Sequence, residues 1–331
     1  MISERALIER LAASAAVRAG VALGIGDDAA VLSGDPAMVV TQDVLVDGVH
    51  FRRATASLGD IGHKAIAVNL SDVAAMGAAP IALFIGLVLP DPEQLTTADI
   101  DELYAGMESL AGVHGATIAG GDTTTGPALI LAVTAVGRMA PGVAPVRRTG
   151  ATAGDLLCVT GSVGAAAAGV LVLDDPALAA GVAQAAALRD AARRPTPRVG
   201  AGQHLAAAGV TAMLDCSDGL ALDALRLSRA SGVIVELDLA DIPIARGVAE
   251  VAANATRDAD LLAATGGEDY ELIVTVAPQR LDAARRELEV PLTPIGRVVA
   301  GAPTLRVMRA GEAVSLSSLG WEHPVGDAER R

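Results

Sequence analysis

Six short acidic motifs, widely separated along the chain, place a carboxylate beside glycine, serine or threonine. Small residues let the backbone approach a ligand closely, and carboxylate oxygens are hard donors that suit Mg²⁺. If folding gathers these motifs, they would suit a multi-metal site for a polyphosphate. The six motifs are Gly26-Asp27-Asp28, Thr41-Gln42-Asp43, Ser71-Asp72, Gly120-Gly121-Asp122, Asp215-Cys216-Ser217-Asp218 and Gly266-Gly267-Glu268-Asp269.

The first and third motifs each have a structural alternative to metal binding. Asp27 and Asp28 follow a glycine turn, and an Asp-rich turn needs no ligand, although adjacent like charges favour a nearby cation. Asp72 falls on an otherwise apolar face of the helix predicted over residues 58–77. A buried carboxylate there must be paired or metal-bound, so a salt bridge and a metal remain equal alternatives. The apolar members of that face are Ile61, Ala65, Val68 and Met76.

Three other segments combine tight turns with hydrogen-bonding groups. Residues 120–127 predict a functional loop whose N–H groups could hold an anion while its carboxylate holds a cation. In the strand-to-helix turn at 215–219, Ser217 or Asp218 could simply cap the helix, but three such groups are present where one suffices. Residues 161–164 could cradle a phosphate at a helix start, although a plain turn is the commoner role. No Walker lysine motif is present, which excludes a standard P-loop.

Composition restricts the class of protein. A chain of 331 residues predicts two domains. Its net charge of −14, without a basic run, excludes a nucleic-acid groove and binding to an anionic membrane. Residues 2–18 predict an amphipathic helix rather than a signal peptide, and the longest apolar stretches are too short to span a bilayer. We therefore expect a soluble cytoplasmic protein, in which Cys158 and Cys216 form neither a disulfide framework nor a zinc site.

The predicted elements favour two α/β domains, with the boundary at the Pro141-Gly142 break. The domains are residues 1–140 and 141–331. The order of elements in the first resembles a ferredoxin-like arrangement. Its predicted elements are strands at 38–51 and 81–89, helices at 58–77 and 97–113, and two strands within 116–139. Those of the second domain are strands at 155–160, 211–214, 233–239, 270–276 and 305–308, and helices at 161–172, 203–208, 217–231 and 280–289.

Several segments, taken in order, resemble the thiamine-monophosphate kinase family, and the match extends to Gly320-Trp321. The two-domain plan is shared with a superfamily that includes aminoimidazole ribonucleotide synthetase, selenophosphate synthetase and a hydrogenase-maturation dehydratase. The resemblance implies a fold of the α+β / α/β class. Its ferredoxin-like N-terminal domain would serve metal and ATP binding and dimerisation, and a mixed α/β C-terminal domain would close the active site. The matching segments are 24–31, 60–80, 120–127, 215–220 and 267–272.

The activity implied by the resemblance is phosphorylation of thiamine monophosphate by ATP, the last step of thiamine diphosphate biosynthesis. It also implies several Mg²⁺ ions and a homodimer whose N-terminal domains join strands across the two-fold axis. Gln42 departs from the family, which often has threonine there, although an amide oxygen could still ligate a metal.

The resemblance, with Asp27 added for its place beside Asp28, also implies roles for individual residues. The candidate metal ligands are Asp27, Asp28, Thr41, Gln42, Asp43, Asp72, Asp122, Asp215 and Asp218. The candidate ATP contacts are Tyr104, Gly121, Asp122, Arg148 and Ser217. The candidate contacts to thiamine monophosphate are His50, Glu268 and Trp321.

This chemistry needs no strong general base, because the acceptor phosphate oxygen is already anionic. The difficulty is to bring two polyanions together in line, which divalent cations relieve. We therefore predict direct transfer without a phosphoenzyme. A synthetase and a non-catalytic nucleotide or metal sensor remain alternatives. Selenophosphate synthetase and the dehydratase are disfavoured because no cysteine precedes Cys158 and none stands at the extreme carboxyl end.

Overall fold

The computed structural model describes residues 2–14, 19–91 and 95–325. The strands are β1 (Ile2–Ser3), β2 (Val21–Leu23), β3 (Ala30–Leu32), β4 (Met38–Val46), β5 (Ala79–Leu89), β6 (Thr117–Thr125), β7 (Ile130–Arg138), β8 (Leu156–Thr160), β9 (Ala212–Asp215), β10 (Ile234–Asp238), β11 (Leu272–Val276), β12 (Leu292–Val299), β13 (Thr304–Arg309), β14 (Glu312–Val314) and β15 (Pro324–Val325). The α-helices are α1 (Glu4–Ser14), α2 (Leu58–Ala75), α3 (Thr97–Val113), α4 (Ala165–Asp174), α5 (Ala185–Arg193), α6 (Val199–Ala208), α7 (Leu220–Ser231), α8 (Val248–Asn254), α9 (Ala259–Thr265) and α10 (Leu281–Arg285).

The first sheet has six strands in the order β2-β3-β4-β7-β5-β6. Only β5 and β6 pair in parallel. Helix α2 packs on β4, β5 and β7, and α3 packs on α2 and β6. Because side chains alternate along a strand, Thr41 and Asp43 point to the same face of β4 as the buried Val39 and Leu45, whereas the exposed Gln42 points to the other face. This register decides which polar side chains of β4 can reach the helices.

The second sheet has seven strands in the order β14-β13-β10-β12-β8-β11-β9. Only β10 and β13 are parallel. Helix α7 packs on β9, β10 and β13, and α4 packs with α5, α8 and α9. The buried strands β9 and β11 are apolar and lie side by side. They bring the segments at their ends, which include Asp215, to one edge of the sheet.

Helix α2 is shared by both halves of the molecule. Ser57 caps its start in a capping box with Asp60, which satisfies the first free backbone N–H groups. The helix also packs on β9 and α6. At Gly202 of α6, an added Cβ would stand only 2.1 Å from the carbonyl oxygen of Ala74, which is closer than packing allows. Helix α2 is therefore held tightly against both sheets, and the side chains on its faces have fixed positions.

The first and last strands of the described residues pair with each other. Ile2 lies opposite Val325, and Ser3 lies opposite Pro324, in an antiparallel ladder. Just before β15, the backbone N–H of Trp321 donates to the carbonyl oxygen of Asp218 at 2.9 Å. These contacts hold the segment that carries Trp321 against the turn after β9.

Several predictions of local structure need correction: the strand predicted at 38–51 ends at Val46, and the helix predicted at 280–289 ends at Arg285. Residues 120–127 are not mainly a loop, because β6 runs through Thr125 and its threonines, which favour strands, pair in parallel with β5. The predicted helix at 217–231 begins only at Leu220. The predicted helix at 2–18 is observed as α1, after the short strand β1, and residues 15–18 lie outside the described residues. Among the described residues, no helix is long and apolar enough to cross a membrane.

Candidate active site

A cavity of about 630 Å³ lies between the two sheets. Its walls come from β4, the segment that follows β4, α2, α4, the turn after β9, the segment before β11 and the segment before β15. Asp72 and Asp215 line it, and so do Ser217, Asp218 and Trp321. Segments that are distant in the sequence therefore meet at one cleft.

Three aspartates form a cluster beside this cavity, which we call the acidic cluster: Asp28, Asp72 and Asp215. One carboxylate oxygen of each lies within 4.8 Å of the others. Asp28 precedes β3, Asp72 is on the last turn of α2, and Asp215 ends β9. Burial, and then the neighbouring carboxylates, raise the pKa of Asp72 well above its ordinary value. Burial and Asp28 do the same to the pKa of Asp215. Without a cation, the cluster therefore resists ionisation.

Neighbouring hydroxyl groups orient two members of the acidic cluster. Thr41 Oγ1 donates to Asp72 Oδ2 at 2.5 Å, and Ser71 Oγ donates to Asp215 Oδ2 at 2.7 Å. Asp43 lies nearby: its pKa is raised to about 6, first by burial and then by the charges of Asp218 and Asp28. The alternation of β4 therefore delivers both Thr41 and Asp43 to the cluster.

Arg148 holds the first acidic motif. Its guanidinium pairs with Asp28 Oδ1, and its backbone N–H donates to both carboxylate oxygens of Asp27 at 3.2 Å. The pKa of Asp27 is raised to about 6, mainly by burial and then by Asp28. Asp27 thus fixes the backbone of Arg148. The other oxygen of Asp28, Oδ2, is buried and has no hydrogen-bond partner among the described residues.

A second arginine holds Asp218. The guanidinium of Arg226 pairs with Asp218 and, at 2.6 Å, with Asp223 Oδ1. Asp223 Oδ2 in turn accepts the backbone N–H groups of Asp218 and Gly219 at 3.0 and 3.2 Å. The turn after β9 is therefore braced from α7, and the carboxylate of Asp218 stays beside the cavity.

These groups fit a divalent cation. The acidic cluster offers oxygen donors from three separate elements within reach of one ion. The partnerless, buried Oδ2 of Asp28 is costly to leave unsatisfied, and a cation would satisfy it. The residues that could hold further cations next to the cluster are Thr41, Asp43 and Asp218.

The other predicted substrate contacts lie on a different part of the cavity wall. His50 Nδ1 accepts the backbone N–H of Val46 at 3.1 Å, so its neutral ring carries the proton on Nε2. The pKa of His50 is lowered, mainly by burial. Trp321 is 57% exposed, and its ring stands edge-on to His323 with centroids 6.0 Å apart. An exposed indole at a cavity rim is available for an aromatic ligand.

Lys64 belongs to a segment that resembles the family but was given no role at the site from the sequence, yet it lies at this wall. Its Nζ is 2.6 Å from Glu268 Oε1 and donates to the His50 carbonyl oxygen at 2.9 Å. Two signals were present in the sequence. Lys64 is four and eight residues before Val68 and Asp72 on the same face of α2, and it is the only lysine among the 25 lysine and arginine residues.

Several predicted site residues do not line the cavity. Gln42 points to the opposite face of β4, where its side-chain oxygen accepts the hydroxyl of Thr134 at 2.9 Å. Gly121 and Asp122 lie exposed on the edge strand β6, and Tyr104 is half-buried on α3. Gly121 has φ +154°, and an added Cβ would lie 2.0 Å from the Ile85 carbonyl oxygen. Backbone packing alone therefore requires glycine at this position.

The turn at residues 161–164 has its own anionic partner. Asp269 accepts the backbone N–H of Gly164 at 2.7 Å and that of Ala166 at 3.2 Å, at the start of α4. A carboxylate thus fills the place where a phosphate could bind. The structural interpretation of this turn agrees with the contacts, and Asp269 serves the scaffold.

Family models match both halves of the chain. Residues 26–139 match "AIR synthase related protein, N-terminal domain", and residues 152–307 match "AIR synthase related protein, C-terminal domain". Together with the solved structures below, these matches confirm the predicted fold class and two-domain architecture with mixed sheets.

Two curated relatives share the same name. The thiamine-monophosphate kinase of Mycobacterium tuberculosis (strain CDC 1551 / Oshkosh) is 39% identical over 274 residues, which are 82% of this chain and 80% of that protein. The thiamine-monophosphate kinase of Escherichia coli (strain K12) is 37% identical over 311 residues, which are 92% of this chain and 93% of that protein.

Solved structures agree with these relatives. AaThiL complexed with AMPPCP and TMP superposes with a TM-score of 0.83 at 29% identity and 97% coverage of both chains. Thiamine-monophosphate kinase from Stenotrophomonas maltophilia K279a has a TM-score of 0.75 at 39% identity, covering 95% of this chain and 98% of that one. The hydrogenase maturation protein HypE, at 21% identity and a TM-score of 0.71, shares the fold alone. The chain belongs to the thiamine-monophosphate kinase family, a group of phosphotransferases built on the AIR synthase related fold.

Proposed function

We propose that this chain transfers the γ-phosphoryl group of ATP to the phosphate of thiamine monophosphate, which gives thiamine diphosphate and ADP. The observation that carries the proposal is the acidic cluster beside a cavity whose other wall bears His50, Glu268 and Trp321. The names of the relatives, and the complex of AaThiL with AMPPCP and TMP, support both substrates.

Several Mg²⁺ ions belong to this proposal. Asp28, Asp72 and Asp215 would hold one ion, with Thr41, Asp43 and Asp218 beside it; Asp122, on β6, stays a predicted ligand. Gln42 is the exception, because its oxygen already accepts from Thr134 on the opposite face of β4. Bound Mg²⁺ neutralises phosphate charge and polarises the transferred group.

The protein's own residues position the reactants. Arg148 and Arg226 hold Asp28 and Asp218 at the cleft. Ser217, which lines the cavity, and Arg148 are proposed ATP contacts. Gly121, Asp122 and Tyr104 are also proposed ATP contacts, although they do not line the cavity. His50, Glu268 and Trp321 would receive the acceptor.

Transfer would be direct and in line. The acceptor oxygen is already anionic, so it needs no base, and a neutral His50 is consistent with a donor rather than a proton acceptor. A chiral γ-phosphoryl group would then appear in thiamine diphosphate with inverted configuration. Retained configuration would instead require a phosphoenzyme and would exclude the direct mechanism.

We also propose a homodimer formed through the first sheet. The face of this sheet away from α2 exposes apolar side chains, with Val44 45% and Phe84 43% exposed. Strand β6 lies at the edge of the sheet, and no described strand pairs with its outer side. A second copy that joins strands there would cover both. Light scattering after size exclusion should give twice the 33.1 kDa chain mass, and Phe84→Lys should reduce the measured mass to that of the monomer.

The domain limits 1–140 and 141–331 and a cytoplasmic location stay predictions.

The test of the reaction is direct. Purified protein is incubated with ATP, MgCl₂ and thiamine monophosphate, and thiamine diphosphate and ADP are followed by chromatography. We expect equal amounts of both products, none after EDTA, and none with free thiamine as acceptor. A folded protein that binds ATP and forms no thiamine diphosphate would contradict the proposal and favour a synthetase or a sensor.

A further inference from the structure

The single lysine of the chain stands between two of the proposed acceptor contacts. Its ammonium lies 2.6 Å from Glu268 Oε1 and 2.9 Å from the His50 carbonyl oxygen. Lys64 is only 4% exposed, and the side chain of Glu268 is 30% exposed. Both residues line the cavity, but the lysine side chain is nearly covered there, whereas the carboxylate that it holds is more open to the cavity. We call Lys64, Glu268 and His50 the lysine-centred group.

The backbone at Glu268 has an uncommon conformation that its neighbours must hold in place. Its φ is +70°, a left-handed conformation that side-chain-bearing residues rarely adopt. Two backbone hydrogen bonds tie this segment to the turn after β9: Glu268 N donates to Ser217 O at 2.7 Å, and Tyr270 N donates to Cys216 O at 2.9 Å. The backbone is thus fixed from the second sheet, whereas the carboxylate is fixed from α2.

Composition indicates that the ammonium itself matters. All the other 24 of the 25 basic residues are arginine, so this chain uses arginine wherever a surface cation suffices. An ammonium is compact and donates in three directions from one atom, whereas a guanidinium is a wide planar fork. The buried space between the Glu268 carboxylate and the His50 carbonyl oxygen therefore suits an ammonium better than a guanidinium.

We propose that Lys64 is a positioning residue that determines acceptor affinity: by holding the Glu268 carboxylate and the His50 peptide together, it sets the geometry of the thiamine monophosphate site. It acts through Glu268 and His50 and does not touch the acidic cluster. The inference rests on the proposed function.

Kinetics of Lys64→Met and Lys64→Arg test the proposal. We expect KM for thiamine monophosphate to rise at least tenfold in Lys64→Met, with KM for ATP and the Mg²⁺ dependence within twofold of the wild type. Lys64→Arg should fail to restore acceptor affinity. Arg297→Met is the matched control, because Arg297 also lies 2.6 Å from a glutamate, Glu236, but is 70% exposed and remote from the cavity; both KM values should stay unchanged.

A double-mutant cycle separates positioning from general damage. If Lys64 acts through Glu268, Glu268→Gln and Lys64→Met combined should raise KM for the acceptor little more than Glu268→Gln alone. Independent multiplication of the two effects, or equal rises in the two KM values of Lys64→Met, would overturn the proposal.

A measurement on the unmodified chain covers the case in which Lys64 variants fail to fold. Protein labelled with [¹³Cε]lysine gives one side-chain signal, because there is one lysine. Thiamine monophosphate should shift this signal, and AMPPCP with Mg²⁺ should leave it in place. A shift with the nucleotide alone, or none with the acceptor at saturation, would overturn the assignment. Wild-type protein that binds the acceptor and shifts the signal without making thiamine diphosphate would contradict only the proposed function.

Discussion

The acidic cluster and the lysine-centred group lie beside the same cavity, but their charges are balanced in opposite ways. Three carboxylates approach one another in the cluster, and burial raises the pKa of Asp72 and Asp215 well above the ordinary value. In the lysine-centred group, one ammonium is matched by one carboxylate and a carbonyl oxygen. The first region is electrostatically complete only with added cations, whereas the second is complete in the folded chain. Four predictions test this difference.

The largest effect is expected for Asp72→Asn. The amide keeps the volume of the carboxylate and its bond from Thr41 but removes a proposed metal ligand, so kcat/KM should fall by about a thousandfold or more. The melting temperature in EDTA at pH 8 should equal or exceed that of the wild type, because the amide removes the cost of burying an ionisable group beside other carboxylates. Activity assays and calorimetry measure both. Wild-type activity would remove Asp72 from the site, and a large loss of stability would show that its charge is already paired.

The second prediction concerns pH and metal together. The pKa values of Asp27 and Asp43 are raised from 3.8 to about 6, mainly by burial. A raised folded-state pKa gives a stabilising contribution that is complete below pH 3.8 and is lost as the pH rises through about 6. The metal-free protein should therefore lose stability as the pH rises from about 4 to about 6, and it should be less stable at pH 8 than at pH 5. Surface carboxylates with lowered pKa, such as Asp258, act in the opposite sense only at lower pH.

Mg²⁺ should reverse this loss. At one hundred times its dissociation constant, a ligand stabilises by about 2.7 kcal/mol, which corresponds to roughly 4 °C for a protein of this size. Thermal unfolding with EDTA or MgCl₂ at pH 5 and pH 8 measures the effect, with NaCl at equal ionic strength as control. We expect the larger shift at pH 8. Equal shifts at both pH values would mean that the cation binds away from the titrating carboxylates.

The third prediction concerns the rim of the cavity near the lysine-centred group. Trp321→Ala should raise KM for thiamine monophosphate about two- to tenfold, the range expected for loss of aromatic stacking. KM for ATP and the stabilisation by Mg²⁺ should not change, since the cluster does not involve Trp321. Isothermal titration with thiamine monophosphate checks the affinity. Unchanged affinity would show that the indole serves packing with His323 only.

The smallest effect is expected for Gln42→Ala. Its side chain faces away from Thr41 and Asp43, so the metal dependence of activity should change less than twofold. Titration of activity with MgCl₂ measures this, with Thr41→Ala as the variant in which the dependence should shift. A tenfold weaker dependence in Gln42→Ala would mean that the strand presents its other face to the metal.

Sequence reasoning predicted the positions of polar residues where periodicity alone decides them. The spacing of Asp72 on the apolar face of α2 predicted a buried carboxylate, and the structure places it in the acidic cluster. The same periodicity places Lys64 on that face, but the local sequence gives no sign of its partner, because Glu268 is 204 residues away in the sequence. Pairing across such a distance depends on tertiary contacts that a local pattern does not contain.

Register and edge pairing were the harder features to predict. Strand alternation was sufficient to place the Gln42 side chain on the other face of β4 from Thr41 and Asp43. The family resemblance nevertheless led to the prediction that Gln42 is a metal ligand. At residues 120–127, the glycines indicated a loop, whereas parallel pairing of the following threonines with β5 makes most of the segment a strand. Neither the parallel partner nor the packing of Gly121 on Ile85 can be derived from the local sequence.

Because the chain contains one lysine, a lysine-specific protease can cleave it at one peptide bond. Endoproteinase Lys-C can cut only between Lys64 and Ala65, and both residues are buried within α2. Cleavage therefore requires α2, the helix packed on both sheets, to unfold first. At a protease concentration where cleavage is faster than reclosing, the release of two fragments, residues 1–64 and 65–331, gives the rate at which the molecule opens at the helix that its two halves share.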